Sequence, residues 1–175
     1  MATHYIQKYP SVASFLAGSP DNSTAGGFGL VSDVLYQNVG GAAYAVAGKN
    51  AETVIATRTV LASENNKTFF LNAATEFVTT LPLPFNGARY RFVVTAAPSG
   101  ADYTIVSNGA AEIILGSVHS AASAAGDTET TPGATTITFA SGQAVAGDWV
   151  EVVSDGTNWY AHAFTAVDAG VTFTG

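Results

Sequence analysis

Cysteine is absent from all 175 residues. That excludes a disulfide framework, a zinc knuckle, a thiol nucleophile and cysteine-ligated iron–sulfur clusters, and it fits a chain that matures in a reducing cytoplasm. Charge is also scarce: Asp, Glu, Lys and Arg make up 11% of the residues, against roughly 25% in an ordinary soluble domain. Basic residues are missing from the whole second half. The six are Lys8, Lys49, Arg58, Lys67, Arg89 and Arg91, so the net charge of −7 divides into +1 through residue 91 (six bases, five acids) and −8 beyond it. A stretch carrying only carboxylates repels phosphate backbones and anionic lipid, so neither nucleic acid nor membrane is an expected partner. No apolar run approaches the ~18 to 20 residues that span a bilayer. The opening Met1 to Gly18, interrupted by Lys8 and Pro10, lacks the unbroken apolar core of an export signal and is expected to be retained.

Catalytic templates are missing as well. His4, His119 and His162 are the only histidines, and no H-E-x-x-H spacing joins them. No G-x-S-x-G elbow places a serine nucleophile, and Gly26 to Gly29 lacks the Lys and Ser/Thr of a phosphate loop. Glu112 and Glu151 are a carboxylate pair of the kind any acidic β protein offers. Asp148, Asp155 and Asp168 fit solvated turns better than a calcium loop, whose dense alternation of oxygen ligands is absent. The expectation is a protein that is not an enzyme and has no cofactor, no catalytic set and no metal ligands.

Small residues fill the space. Residues 1–50 read as an extended, low-complexity N-terminal arm: Ser19 to Gly29 and Asn38 to Asn50 are rich in Gly, Ala, Asn and Ser. Isolated bulky side chains (Phe15, Leu16, Phe28, Leu35, Tyr36 and Tyr44) are spaced along it as candidate anchors against neighbouring surfaces, with Lys8, Lys49 and Arg58 as basic contacts.

Residues 51–175 read as an antiparallel β domain, a sandwich or barrel. Thr53 to Leu61, Thr68 to Leu71, Phe77 to Leu81, Arg89 to Thr95, Tyr103 to Val106, Glu112 to Leu115 and Thr135 to Phe139 carry strand character, and Ser117 to Ala134 reads as a long polar loop. Pro82 and Pro84 confine the strand before them to an edge or an end. The clearest local signal is the last hairpin, Trp149 to Val153 and Trp159 to Phe164, turned at Asp155-Gly156. Its Trp149, Trp159 and Tyr160 raise the possibility of sugar stacking; the favoured reading is that the two tryptophans enter the core or flank each other across the strands.

Four runs carry a resemblance. Leu61-Ala-Ser-Glu-Asn-Asn-Lys-Thr-Phe-Phe-Leu-Asn72, then Thr80-Leu-Pro-Leu-Pro84 and Gly87-Ala-Arg-Tyr-Arg-Phe-Val-Val94, and finally Ala146-Gly-Asp-Trp-Val-Glu-Val-Val-Ser-Asp-Gly-Thr-Asn-Trp-Tyr160 resemble a module of tailed-bacteriophage structural proteins. The resemblance spans residues 58–164 and is made of turn and core positions. With the arm, it implies a capsid decoration (cement) protein: a homo-oligomer, as a trimer, on the outer capsid surface of the virion, bridging subunits of the major capsid protein. The alternative is a tail-fibre or spike domain that binds host-surface glycans. The charge split adds one expectation: the basic half faces the shell and the acidic half faces water.

Overall fold

A computed structural model describes residues 7–11, 27–31, 34–39, 42–47, 50–73, 75–110, 113–122 and 128–175. The chain divides into two units, Met1–Asn50 and Ala51–Gly175. In the first, β1 (Gln7–Tyr9), β2 (Gly27–Val31), β3 (Val34–Val39) and β4 (Ala42–Ala47) pair in that order. The β1–β2 pair is parallel and the rest antiparallel. The intervals between β2, β3 and β4 are Ser32-Asp33 and Gly40-Gly41, the residue types that two-residue hairpin connections favour. Phe28, Tyr36, Tyr44 and Lys8 fall on these strands, and Leu35 is partly buried. Phe15, Leu16 and Lys49 lie outside the described residues.

The second unit is all-β. A seven-stranded sheet contains β5 (Ala51–Val54), β7 (Lys67–Leu71), β9 (Asn86–Val94), β11 (Ile114–Ser120), β12 (Thr128–Ala134), β14 (Trp149–Asp155) and β15 (Trp159–Thr165). Its spatial order is β12-β11-β15-β14-β9-β7-β5. A five-stranded sheet contains β6 (Arg58–Thr59), β8 (Phe77–Thr80), β10 (Tyr103–Val106), β13 (Thr136–Phe139) and β16 (Val171–Thr174). Its order is β16-β13-β10-β8-β6.

Both sheets are mixed, where the sequence suggested antiparallel pairing throughout. From β5 to β11 the chain changes sheet at every strand. A crossing out and a crossing back restore the original direction, so β5, β7 and β9 run parallel, as do β6, β8 and β10. β11 and β15, which belong to different hairpins, also pair in parallel. Thr53 to Leu61, expected as one strand, is broken at Ile55 to Thr57, where it passes from one sheet to the other. The expected loop from Ser117 to Ala134 is in large part strand, since β11 runs to Ser120 and β12 begins at Thr128. Pro132 sits on this edge strand, where a missing N–H costs no ladder bond. β16 follows the last hairpin and had no expectation attached to it.

One core joins the sheets. Strict alternation sends Ala88, Tyr90, Phe92 and Val94 of β9 inward, and Phe77, Tyr103, Ile105, Ile137, Phe139, Val171 and Phe173 meet them from the five-stranded sheet. Phe69 stacks on Phe92 at 5.2 Å between ring centroids, and Phe77 on Tyr103 at 4.5 Å. The architecture is therefore a sandwich.

Gly116 marks a close approach of β11 to β15. A Cβ built there would lie 2.0 Å from the Ala161 carbonyl oxygen of β15 and 2.8 Å from its carbon. The obstacle is backbone, so no rotamer change relieves it. Gly116→Ala is expected to cost about 2–3 kcal/mol, at the upper end of overpacking penalties. Chemical denaturation reads this as a lower midpoint with the m-value unchanged, and an unaltered midpoint would contradict the close packing of β11 on β15.

Candidate functional site: the outer face of the seven-stranded sheet

The final hairpin sets the site. Its connection is closed by Asp155, whose Oδ1 accepts the N–H groups of Thr157 (2.8 Å) and Asn158 (2.9 Å) and whose Oδ2 accepts the Tyr160 hydroxyl (2.9 Å). These bonds, led by the Asn158 N–H, hold the Asp155 carboxyl below its ordinary value. Gly156 supplies the positive φ of 99° that the turn requires. Ser154 then lies opposite Trp159, and Trp149 opposite Phe164. Each such pair joins an odd and an even position, so the two tryptophans point to opposite faces. Trp159 is fully buried, 5.8 Å from Tyr90 between centroids. Trp149 lies on the outside. They do not flank each other, and the favoured reading holds for Trp159 alone.

Outside, the strands align their side chains in three rows. In the first, Leu115, Tyr160, Val153 and Arg89 lie side by side across β11, β15, β14 and β9. The second contains Ser117, His162, Glu151 and Arg91; the third contains His119, Phe164, Trp149 and Val93, continued by Phe70 on β7. Tyr160 is 47% exposed, and Phe164 and Val153 are each 39% exposed. Large apolar side chains therefore face solvent while Ala161 and Ala163, between them on the same strand, face the core. A mixed aromatic and aliphatic face of this kind is a candidate contact surface.

The polar groups within it are mostly paired. Arg89 Nη2 donates to Glu151 Oε2 at 2.7 Å. The Arg91 guanidinium lies over the Trp149 ring, 4.4 Å from its centroid, and blocks sugar stacking on that side. The His162 ring sits 5.9 Å from Trp149 and 5.0 Å from His119. Ser117 Oγ is 3.4 Å from His162 Nδ1, which places a serine, a histidine and the Glu151 carboxylate in one row. Hydrolysis of an acyl group also needs backbone N–H donors aimed at an oxyanion. Here the strands on either side of β15 commit N–H groups to the sheet ladders.

The bases and acids also interleave. β9, with Arg89 and Arg91, lies directly beside β14, with Glu151. Where β9 meets β14, bases and acids from the two halves of the chain therefore share one face. Asp148 differs from its sequence reading as well: it is 1% exposed and not a solvated turn. Its Oδ1 accepts the Ala166 N–H at 2.8 Å, and its Oδ2 accepts the Val145 N–H at 2.9 Å and the Thr165 hydroxyl at 3.1 Å.

Arg58 lies at the opposite sheet edge, in a closed ring of ion pairs. It contacts Glu52 and, at 2.5 Å, Glu64; Lys67 contacts Glu52 at 2.7 Å and Glu64 at 2.8 Å. Both cations sit over the Phe69 ring, at 4.9 and 5.7 Å from its centroid, and roof the end of the core. Burial alone would raise the Glu64 carboxyl, but the Leu61 N–H, Lys67 and Arg58 more than offset it, and its pKa falls below 4.5. Burial would likewise lower Lys67, and Glu52 and Glu64 outweigh it, so its pKa rises above 10.5. Burial, with the nearby Glu64 charge, pushes the Tyr90 phenol from 10.0 up to about 12.

The signs give a pH window. Glu64 contributes stability that is complete above its unfolded value and lost as pH falls through the folded one. Lys67 contributes stability that is complete below 10.5 and lost as pH rises through its folded value. The folded state also holds the Tyr90 proton more tightly than the unfolded chain, so stability declines between pH 10 and 12, by up to about 1.4 kcal/mol per unit for that group. Urea midpoints are expected to stay level near neutrality and fall beyond pH 10. Tyr90→Phe should flatten part of that alkaline fall, and a variant with an unchanged alkaline slope would refute the assignment.

No protein-family model matches this chain, and no curated protein matches it.

Proposed function

We propose that this chain is a structural protein of the bacteriophage virion that binds the outside of the capsid as a decoration protein, self-associating as a trimer and bridging major capsid protein subunits. The observation that carries the reading is the outer face itself. Tyr160, Phe164, Val153 and Trp149 are presented on a continuous seven-stranded sheet, with the arginines and Glu151 among them engaged within the chain. Such a face loses little side-chain entropy on docking and leaves few charges to desolvate unpaired. The residues that resemble phage structural modules build this sandwich, and residues 1–50 form a separate unit able to reach a second partner.

Electron microscopy of particles labelled on this chain tests the reading, with label expected on the head exterior; label confined to the tail overturns it. Full-length protein and a chain lacking residues 1–50 should both give β-sheet circular dichroism, with only the former decorating undecorated shells. Equal occupancy by both would remove the arm from the mechanism.

A second reading, a tail-fibre domain for host-surface glycans, draws on the exposed Tyr160 ring beside His162. Trp159 takes no part in it, being fully buried. Competition by host glycans for binding, together with tail location, would favour it.

A further inference from the structure

His119 and His162 are two of the three histidines in the chain, 43 positions apart in sequence. The parallel pairing of β11 with β15 brings them together: Ser117 lies beside His162, His119 lies beside Phe164, and the two imidazoles meet diagonally with ring centroids 5.0 Å apart and planes at 57°. Both side chains are exposed.

That spacing fits chelation. A zinc ion about 2.0–2.1 Å from one nitrogen of each ring, with each centroid about 1.1 Å further along the same line, puts the centroids about 4.4–5.2 Å apart for N–metal–N angles of about 90–109°. The observed 5.0 Å falls inside this range without movement of either strand. A rigid pair of adjacent strands presents the donors already ordered, which removes much of the entropic cost of closing a chelate. Ser117 Oγ, 3.4 Å from His162 Nδ1, engages one ring nitrogen and leaves Nε2 as the ligand atom, the role a supporting group plays beside a metal-bound histidine. Aromatic neighbours, Trp149 and Phe164, flank the pair.

We propose that His119 and His162 form a two-imidazole site for a borderline divalent transition cation of the zinc, nickel or copper class. Imidazole nitrogen selects these ions over magnesium and calcium, which prefer oxygen. Among the described residues no third His, Cys, Asp or Glu completes a cluster. Water or a donor from a docked surface fills the remaining positions, so the ion sits at the contact face rather than in a closed structural site.

The test is calorimetric titration of zinc into the full, untagged chain near neutral pH, alongside His119→Gln, His162→Gln, the double variant and His4→Gln as a control. The expected result is one zinc bound in the micromolar range, far weaker than a closed structural site. Each of the two face variants should lose at least tenfold in affinity and match the double variant, while His4→Gln binds as the parent does. Magnesium should give no heat of binding. Thermal melts of the metal-free proteins establish that the variants are folded. The proposal fails if the parent binds zinc no more tightly than the double variant, if only one of the two face histidines matters, or if the loss follows His4.

Discussion

Asp148→Ala should lower the stability of the sandwich by about 3–5 kcal/mol, because it strips the acceptors from three buried or partly buried donors at once. The Val145 N–H, the Ala166 N–H and the Thr165 hydroxyl all converge on this one carboxylate, itself 1% exposed. Thr165 Oγ–H has a second acceptor in the Val167 carbonyl at 2.8 Å, so it loses least. The two N–H groups lose most. The side chain holds the approach to β14, where the Val94 N–H bonds the Asp148 carbonyl and the Gly147 N–H bonds the Val94 carbonyl, to the turn that follows β15. Gly170 packs into the same place: a Cβ there would lie 2.2 Å from Thr165 Oγ1 and 3.3 Å from Asp148 Oδ2. Asp148→Asn keeps one acceptor oxygen and should cost less than Asp148→Ala. Urea unfolding of the three proteins measures the order, and a variant with Ala at 148 that unfolds with the parent would show that the carboxylate organises nothing.

Trp159→Ala is the second large effect, expected at about 3–5 kcal/mol, the range for emptying a buried indole site. Trp159 is fully buried beside Tyr90, and its backbone N–H bonds the Ile113 carbonyl, so the residue both fills the core and joins β15 to the segment entering β11. The indole Nε1 is buried without a hydrogen-bond partner among the described residues. Trp159→Phe removes that polar atom while keeping most of the apolar volume and should cost much less than Trp159→Ala. Tyr160→Ala, one residue along on the exposed face, gives up the bond from its hydroxyl to Asp155 but no core packing, and should lower the unfolding free energy by no more than about 1 kcal/mol. Loss of shell binding by Tyr160→Ala without a larger loss of stability would locate the docking face. Equal destabilisation by Trp159→Ala and Tyr160→Ala would contradict the two-faced strand.

Most of the β content was legible in the sequence for physical reasons that operate locally. Tyr90, Phe92 and Val94 alternate with Arg89, Arg91 and Val93 in a run that only a strand can bury on one side. Asp155-Gly156 marks the hairpin because glycine alone adopts φ near 99° without strain. Asp148 was misread because its type favours a solvated turn, and nothing nearby in sequence announces that Ala166 and Thr165 arrive from the far side of the hairpin. The candidate face was half visible. Period two puts Tyr160, His162 and Phe164 together on β15, but hydrophobicity would send them inward and leave Ala161 and Ala163 outside. The structure does the reverse, since Trp159 on the same face of β15, and Tyr90 and Phe92 two strands away in the same sheet, already fill the core beside the two alanines.

By itself, the sequence determined the all-β character, the absence of thiol chemistry and the place of the last hairpin, because each rests on composition or on neighbours a few residues apart. Tertiary structure alone decided the mixed pairing, the interleaving of the basic and acidic halves, the inner face of β15 and the meeting of His119 with His162. Those depend on which strands lie side by side after the chain has crossed between sheets, and long-range packing, not local propensity, settles that choice.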